Sequence, residues 1–402
     1  MNQKRPVIIN VISGKGGTGK SLCTAVLADA LAKKCGPVLV IDLDIFVRGL
    51  TALYCHQMKV DGYLAEEDEF CVASVFESKK LLTEGGLLDD RKPAIRTAKS
   101  SIEKYGAAPA YDIWTAVKEI DVVFKPHDLI PDNLTQALCI LDYILDSIDQ
   151  EYSYILLDNR AGFDEMITAA HLRSTFSLCI DEHDEIAKLT SNMVISQLRD
   201  AQAEADRIDA EKRNLNASKK KGVLVPDRVN KKIFRIRNKC KDYERGEKSS
   251  YSASEGHGIF VGDIPQTADV TECFDKDYYT FESRMNRSAY KQALIDAWNE
   301  IVQKMNWDKD QSLIFVGTTS KIHEPLYLLP PANRNNYIVG IFVIATSVLI
   351  LLFGTPIADI ISFFNSYTRF FGALFLVMGV AITLTAPLNW AVIKRRREAK
   401  KK

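Results

Sequence analysis

The stretch SGKGGTGKS, Ser13 to Ser21, constrains the fold of this chain more than any other. Gly14, four residues, then Gly19, Lys20 and Ser21 satisfy G-x-x-x-x-G-K-[ST], a loop whose backbone N–H groups wrap phosphate oxygens. Its flanks agree: Pro6 to Ile12, PVIINVI, reads as a short buried strand, and Ser21 to Lys33, SLCTAVLADALAK, has apolar residues at helical spacing. The predicted nucleotide-binding set is Gly14, Gly16, Gly17, Thr18, Gly19, Lys20, Ser21 and Leu22. Lys20 should contact the outer phosphates, Ser21 should ligate magnesium, and the helix N-terminus favours the anion. A chance glycine-rich turn would not bring both flanks with it. Lys15 is left over, because such a loop needs only one lysine.

Two further stretches end apolar runs on carboxylates. In PVLVIDLDIFVRGLT, Pro37 to Thr51, Asp42 and Asp44 stand two residues apart. Alternate strand residues face the same way, so both can serve the carboxyl edge of a parallel sheet, where ligands bind. In YSYILLDNRAG, Tyr152 to Gly162, Asp158 closes four apolar residues as a Walker B carboxylate does, and Gly162 allows a backbone N–H to approach a terminal phosphate.

With KGGTGKS (15–21), IDLDIFVRGL (41–50), LLDNRAG (156–162) and GIFVGDIP (258–265), the chain resembles the ParA/MinD family of P-loop ATPases over roughly residues 6–305. The resemblance implies a slow ATPase using ATP and Mg2+, dimerising as a homodimer around the nucleotide. Within it Lys15 reaches across to the partner's phosphates, and Lys15, Lys20 and Asp44 are the catalytic set, with Asp44 positioning the attacking water. Ser21, Asp42 and Asp158 serve the metal, Asp158 and Gly162 the switch, and Ile264 and Pro265 the turn beside the base. Where the family's base-reading strand ends in Asn-Arg, this chain has GVLVPDRVN, 222–230, which puts Asp227 and Arg228 there; a shifted alignment would use Asn230 instead. Aspartate accepts from the adenine amino group but cannot donate to the ring, so adenine rests on the resemblance.

At 402 residues, 47% hydrophobic and 26% charged, the chain has ample core for such a domain, expected over 1–307. A net charge of zero advertises no nucleic-acid or membrane partner, so such a surface must be local. Eight scattered cysteines without a CxxC pair read as reduced thiols. Two stretches exceed a minimal member: about 57–110, read as a surface insertion with partial helix, and 184–250, which begins as an amphipathic helix and carries an insertion over about 200–250. Within the second, eight Lys and Arg residues between Arg228 and Arg245 offer a candidate phosphate-binding surface, diluted by Asp242, Glu244 and Glu247. DNA is therefore a partner the sequence permits without favouring.

The C-terminus adds a second architecture. Tyr337–Ala358 and Phe370–Ile393 are 22 and 24 residues without a charge, each long enough to cross a hydrocarbon core of roughly 30 Å. They read as a transmembrane hairpin that follows a proline-bearing linker, 308–336. The tail KRRREAKKK, 394–402, has seven basic residues in nine, which by the positive-inside rule places it and the ATPase domain in the cytoplasm. The expected fold is thus a three-layer α/β P-loop NTPase domain with a mainly parallel sheet, anchored to the inner (cytoplasmic) membrane. Its expected function is a membrane-anchored switch that recruits or positions a protein partner. The alternatives are a DNA-tethering ParA-like protein and a membrane effector whose hairpins assemble when the ATPase domain is triggered.

Overall fold

The computed structural model describes residues 5–60, 64–86, 91–97, 108–119, 129–182, 184–217, 232–240, 258–267 and 277–315. All lie in one compact unit, Met1–Ser320. The hairpin and basic tail expected beyond it fall outside the described residues, as does the linker after residue 315; the start of that expected linker, 308–315, instead packs on the domain, with Leu313 buried and its amide donating to Asn299 Oδ1 at 2.8 Å. Among the described residues no helix is long and apolar enough to cross a membrane.

Eight strands form one sheet in the order β10-β9-β8-β1-β7-β2-β6-β5. They are β1 (Val7–Ser13), β2 (Val38–Asp42), β5 (Ile95–Arg96), β6 (Asp112–Trp114), β7 (Tyr154–Ala161), β8 (Phe176–Glu182), β9 (Ile233–Cys240) and β10 (Ile259–Pro265). Only β5 runs antiparallel, against β6. β3 (Glu69–Phe70) and β4 (Lys92–Pro93) make a separate parallel pair.

β2, VLVID, is buried throughout because helices cover both faces of a parallel sheet. Its alternate residues sort the layers. Val38 and Val40 join the core under α1 (Lys20–Lys34), α2 (Gly49–Met58), α8 (Tyr278–Met285) and α9 (Ala289–Met305). Leu39 and Ile41 join the opposite core, under α3 (Val72–Glu77), α5 (Leu134–Asp146) and α6 (Glu165–Arg173). Caps fix where these helices begin: Asn133 accepts from the Gln136 amide at 2.9 Å, and Asp164 from that of Ile167 at 2.8 Å.

The region 57–110 is more than a surface insertion. Phe70, Val72 and Phe76 are buried, Leu82 of α4 (Lys79–Thr83) packs beside them, and Phe70 meets Trp114 edge-on at 5.6 Å. The polar loop sequence between these few apolar residues hid their periodicity. The helix expected from 184 is α7 (Glu185–Ala217), 33 residues or about 50 Å long. Its buried side chains end at Leu198 among those described, so the packed part is the first four turns.

Candidate functional site: the carboxyl edge of β1, β2 and β7

Asp158, the fifth residue of β7, is fully buried. Three donors from the first turns of α1 converge on it. Lys20 Nζ and Thr24 Oγ1 each lie 3.0 Å from Oδ1, and Ser21 Oγ donates to Oδ2 at 2.7 Å. The residues expected to hold phosphate and metal are thus gathered on the Walker B carboxylate. Directly across the β2–β7 ladder stands Asp42. Its Oδ2 accepts from the Thr51 amide at 2.8 Å and hydroxyl at 2.7 Å, and its Oδ1 from the Asp44 amide at 3.2 Å. Burial, with Asp158 beside it, pushes the Asp42 carboxyl up to about 7 despite the Thr51 donors. Asp44 is 7% exposed at the head of the following loop, where Val47 N–H donates to its Oδ1 at 3.1 Å. Gly162 takes φ +96, a region that favours glycine, and its N–H donates to Ser13 O at 2.9 Å.

The loop fits a phosphate chain with its cation. A Cβ at Gly16 or Gly17 would meet nothing, so the loop is open there, and the Ser13 and Thr18 hydroxyls are buried without a partner. Gly17 and Gly19 hold φ +79 and +86, which turns the loop into its cradle. The Asp42 and Asp158 carboxylates face each other with little solvent, an arrangement that a divalent cation relieves. Among the described residues no three His, Cys, Asp or Glu side chains form a metal cage, so magnesium at this edge would draw on Ser21 and phosphate oxygens. Gly14 has another role: a Cβ there would collide with the Thr190 and Ser191 backbone, so its bare Cα lets α7 pack on the loop.

Lys15 stands apart, 40% exposed. Its Nζ lies 2.9 Å from Asp184 Oδ2 and 3.4 Å from Glu182 Oε2. The hydrogen bond to Asp184 holds the ammonium above its ordinary value. Asp184 also accepts from the Ala187 amide at 2.8 Å, capping α7, and that bond, then Lys15, holds its carboxyl below the usual range.

Comparison with known proteins bears on this edge. The family model described as ParA, the NUBPL iron-transfer P-loop NTPase, matches residues 5–70. An uncharacterised ATP-binding protein of Methanocaldococcus jannaschii is 26% identical over 159 residues, 40% of this chain and 55% of that protein, so the match spans about half of that relative. Among solved structures, a Borrelia burgdorferi plasmid partition protein bound to AMPPNP is 19% identical with a TM-score of 0.43, covering 75% of this chain and all of that one. The Pyrococcus horikoshii septum site-determining protein MinD with Mg-ADP is 18% identical with a TM-score of 0.43, covering 75% of this chain and 98% of that one. Residues 5–70, which carry the loop, α1, β2 and α2, are thus similar to the ParA family of P-loop NTPases.

In the sheet, the strand beside β8 is β9, Ile233–Cys240. Asp227, Arg228 and Asn230 lie outside the described residues, and the strand-end pair at the loop is Asn238–Lys239. Asn238 Nδ2 donates to Thr18 O at 2.7 Å; Lys239 Nζ donates to Gly17 O and lies 3.1 Å from Glu182 Oε1. The signal was available as an Asn-Lys pair closing IFRIRNKC, but the strand's arginines made it read as a basic surface. Those arginines are neutralised by adjacent strands. Arg235 is buried on Asp181 of β8, and Arg237 forms a two-point pair with Asp263 of β10 at 2.6 and 2.7 Å. The phosphate-binding reading of 228–245 therefore loses both. Ile264 is likewise a core residue, fully buried, and Pro265 pairs with Cys240 at the strand end, so the Ile264 side chain supports the sheet instead of lining a base site. The Leu22 side chain also belongs to the core.

Proposed function

We propose that the protein is an ATP-binding and ATP-hydrolysing switch that closes a homodimer around its nucleotide and positions a partner at the cytoplasmic membrane. The observation that carries this reading is the division of labour between two loop lysines. Lys20 is buried on Asp158 beside Ser21, Asp42 and Asp44, whereas Lys15 is half-exposed and held only by carboxylates at the rim. In the reading proposed, the loop amides and Lys20 hold the phosphate chain and Ser21 holds magnesium, with Asp42 and Asp158 behind it. Magnesium, when bound, neutralises charge on the phosphates. Asp44 orients the attacking water, and Lys15 stabilises charge on the nucleotide of the partner copy. Asn238 and Lys239 shape the loop next to the base. Residues 337–393 anchor the chain as a hairpin, which keeps the switch at the inner membrane in every nucleotide state; ATP then controls association and recruitment. A DNA-tethering role has less support, because Arg235 and Arg237 are committed to cross-strand pairs.

The test is light scattering on the full-length chain in mild detergent, with ADP or a non-hydrolysable ATP analogue, for the wild type and Lys15→Ala. The analogue should dimerise the wild type alone. A wild type that stays monomeric with the analogue would overturn the switch reading.

A further inference from the structure

We infer that Asn10 of β1 is a positioning residue for the proposed ATP hydrolysis, tying both ends of the segment that carries Gly162 to the centre of the sheet. The inference rests on the ATPase reading above. From Val7 to Ile12 the strand is apolar except at Asn10, which is fully buried. A strand that needed only to fill the core would carry another aliphatic residue there.

Asn10 is the middle of a chain of buried polar side chains. Asn159 Nδ2 donates to Asn10 Oδ1 at 2.5 Å and to Leu157 O at 3.2 Å. A carbonyl only accepts, so Leu157 O fixes which end of the Asn159 amide carries the nitrogen, and Asn10 must turn its oxygen to Asn159. Asn10 Nδ2 then donates to Ser177 Oγ at 2.9 Å, and Ser177 Oγ lies 2.8 Å from His171 Nδ1. All four side chains are at most 1% exposed. They cross β7, β1 and β8 on one face of the sheet and end on α6.

The two ends of this chain bracket the switch segment. Val11 stands opposite Asp158 and Ser13 opposite Ala161, so Asn159 and Arg160 face the single residue Ile12, a bulge directly after the Walker B carboxylate. The segment 160–163 leaves β7 at Asn159 and enters α6 at Glu165, and α6 is tied back through His171 and Ser177 to the same Asn10. Arg160 and Asp164 also pair across it. Between these ends the chain has room: a Cβ at Gly162 would meet nothing within 4 Å, and Phe163 is 39% exposed. Gly162 N–H donates to Ser13 O, so serving a terminal phosphate requires the middle of the segment to turn away from β1. Fixed ends allow that turn while Asp158 keeps Lys20, Ser21 and Thr24 in place. Stability alone does not account for the chain, because Asn159 Oδ1 stays buried without a partner, which costs free energy.

The experiment uses the full-length chain in mild detergent. Asn10→Val/Asn159→Val replaces both amides by strand-forming apolar residues, which removes the tie without orphaning either partner, while Ser177→Ala cuts only the α6 end. For each, thermal unfolding, affinity for a fluorescent ATP derivative, single-turnover hydrolysis with magnesium, and amide exchange of residues 159–164 without nucleotide are compared with wild type. The double variant should unfold close to wild type and bind nucleotide within about threefold of it. Its hydrolysis should be at least about tenfold slower and its Gly162 amide should exchange at least about tenfold faster. Ser177→Ala should move both in the same directions by about threefold. Wild-type hydrolysis or wild-type exchange in the double variant means that Asn10 does not hold the segment, and the inference fails while the ATPase reading stands. If the double variant does not fold, Ser177→Ala decides, and unchanged hydrolysis and exchange there overturn the inference equally. If the wild type binds ATP without hydrolysing it, the ATPase reading fails and takes the inference with it.

Discussion

Arg235 of β9 and Asp181 of β8 form a buried ion pair, Nε to Oδ2 at 2.9 Å, with the guanidinium 3% and the carboxylate 0% exposed. The same guanidinium donates to Asn192 Oδ1 at 2.6 Å, and Ser191 Oγ donates to Asp181 Oδ1 at 3.2 Å. One pair therefore ties two strands to α7, whose second turn packs on Gly14 of the nucleotide loop. Its importance lies in position more than in net energy, since burying two charges costs about as much as their attraction returns.

Breaking that pair from one side should be far worse than removing it. Arg235→Met leaves Asp181 charged and buried, which costs about 3–5 kcal/mol, whereas Arg235→Met/Asp181→Leu should recover much of the loss. Chemical denaturation of the three proteins checks this. If Arg235→Met alone unfolds like wild type, the pair is not structural.

Two glycines of the loop should respond oppositely to alanine. Gly14→Ala drives a methyl into the Thr190 and Ser191 backbone and should cost about 1–3 kcal/mol, because α7 must move. Gly16→Ala meets nothing and should leave the stability of the nucleotide-free protein within about 0.5 kcal/mol. Thermal unfolding without nucleotide separates the two; equal losses would mean that α7 does not constrain the loop.

How far the sequence could be read follows from which contacts are local. The nucleotide loop, Asp42, Asp44 and Asp158 were legible because a short motif or an apolar run ending in a carboxylate specifies each. β9 was not. Its arginines look like surface charge until Asp181 and Asp263 are placed beside them, and those partners are 54 and 26 residues away. GVLV, 222–225, has the apolar run that propensity prefers for a buried strand, so Asp227 reads from the sequence as a strand-end residue more readily than Asn238 does. The pairing of Lys15 with Asp184 was illegible for the same reason, at a separation of 169 residues.

Glu69 and Arg96 give a pH prediction away from the site. Burial raises the Glu69 carboxyl, but the Arg96 guanidinium, which donates to its two oxygens at 3.0 and 2.6 Å, outweighs this and holds it below the usual range. A carboxylate lowered in the folded state contributes stability above its unfolded value, near 4.5, and loses it as the pH falls through the folded value. Arg96→Gln should therefore cost about 1 kcal/mol at pH 7, and the difference from wild type should shrink below about pH 4. A difference that stays constant from pH 7 to pH 3.5 would assign the loss to packing of the Arg96 stem.

Asn238 is the residue on which the corrected strand assignment can be tested. Its Nδ2 donates to Thr18 O at 2.7 Å and its Oδ1 accepts from the Lys239 amide at 2.8 Å, so both ends of the amide are used and the side chain is buried. Asn238→Asp replaces the donor with an acceptor facing a carbonyl oxygen, which pushes Thr18 and the loop away. Loss of that bond, with a carboxylate oxygen set against the carbonyl in its place, should weaken ATP binding by at least about tenfold, equivalent to about 1.4 kcal/mol. Asp227→Ala should leave the affinity unchanged. Titration of a fluorescent ATP derivative into both variants decides between the positions: if Asp227→Ala weakens binding and Asn238→Asp does not, the base is read from 222–230 and the end of β9 does not shape its site.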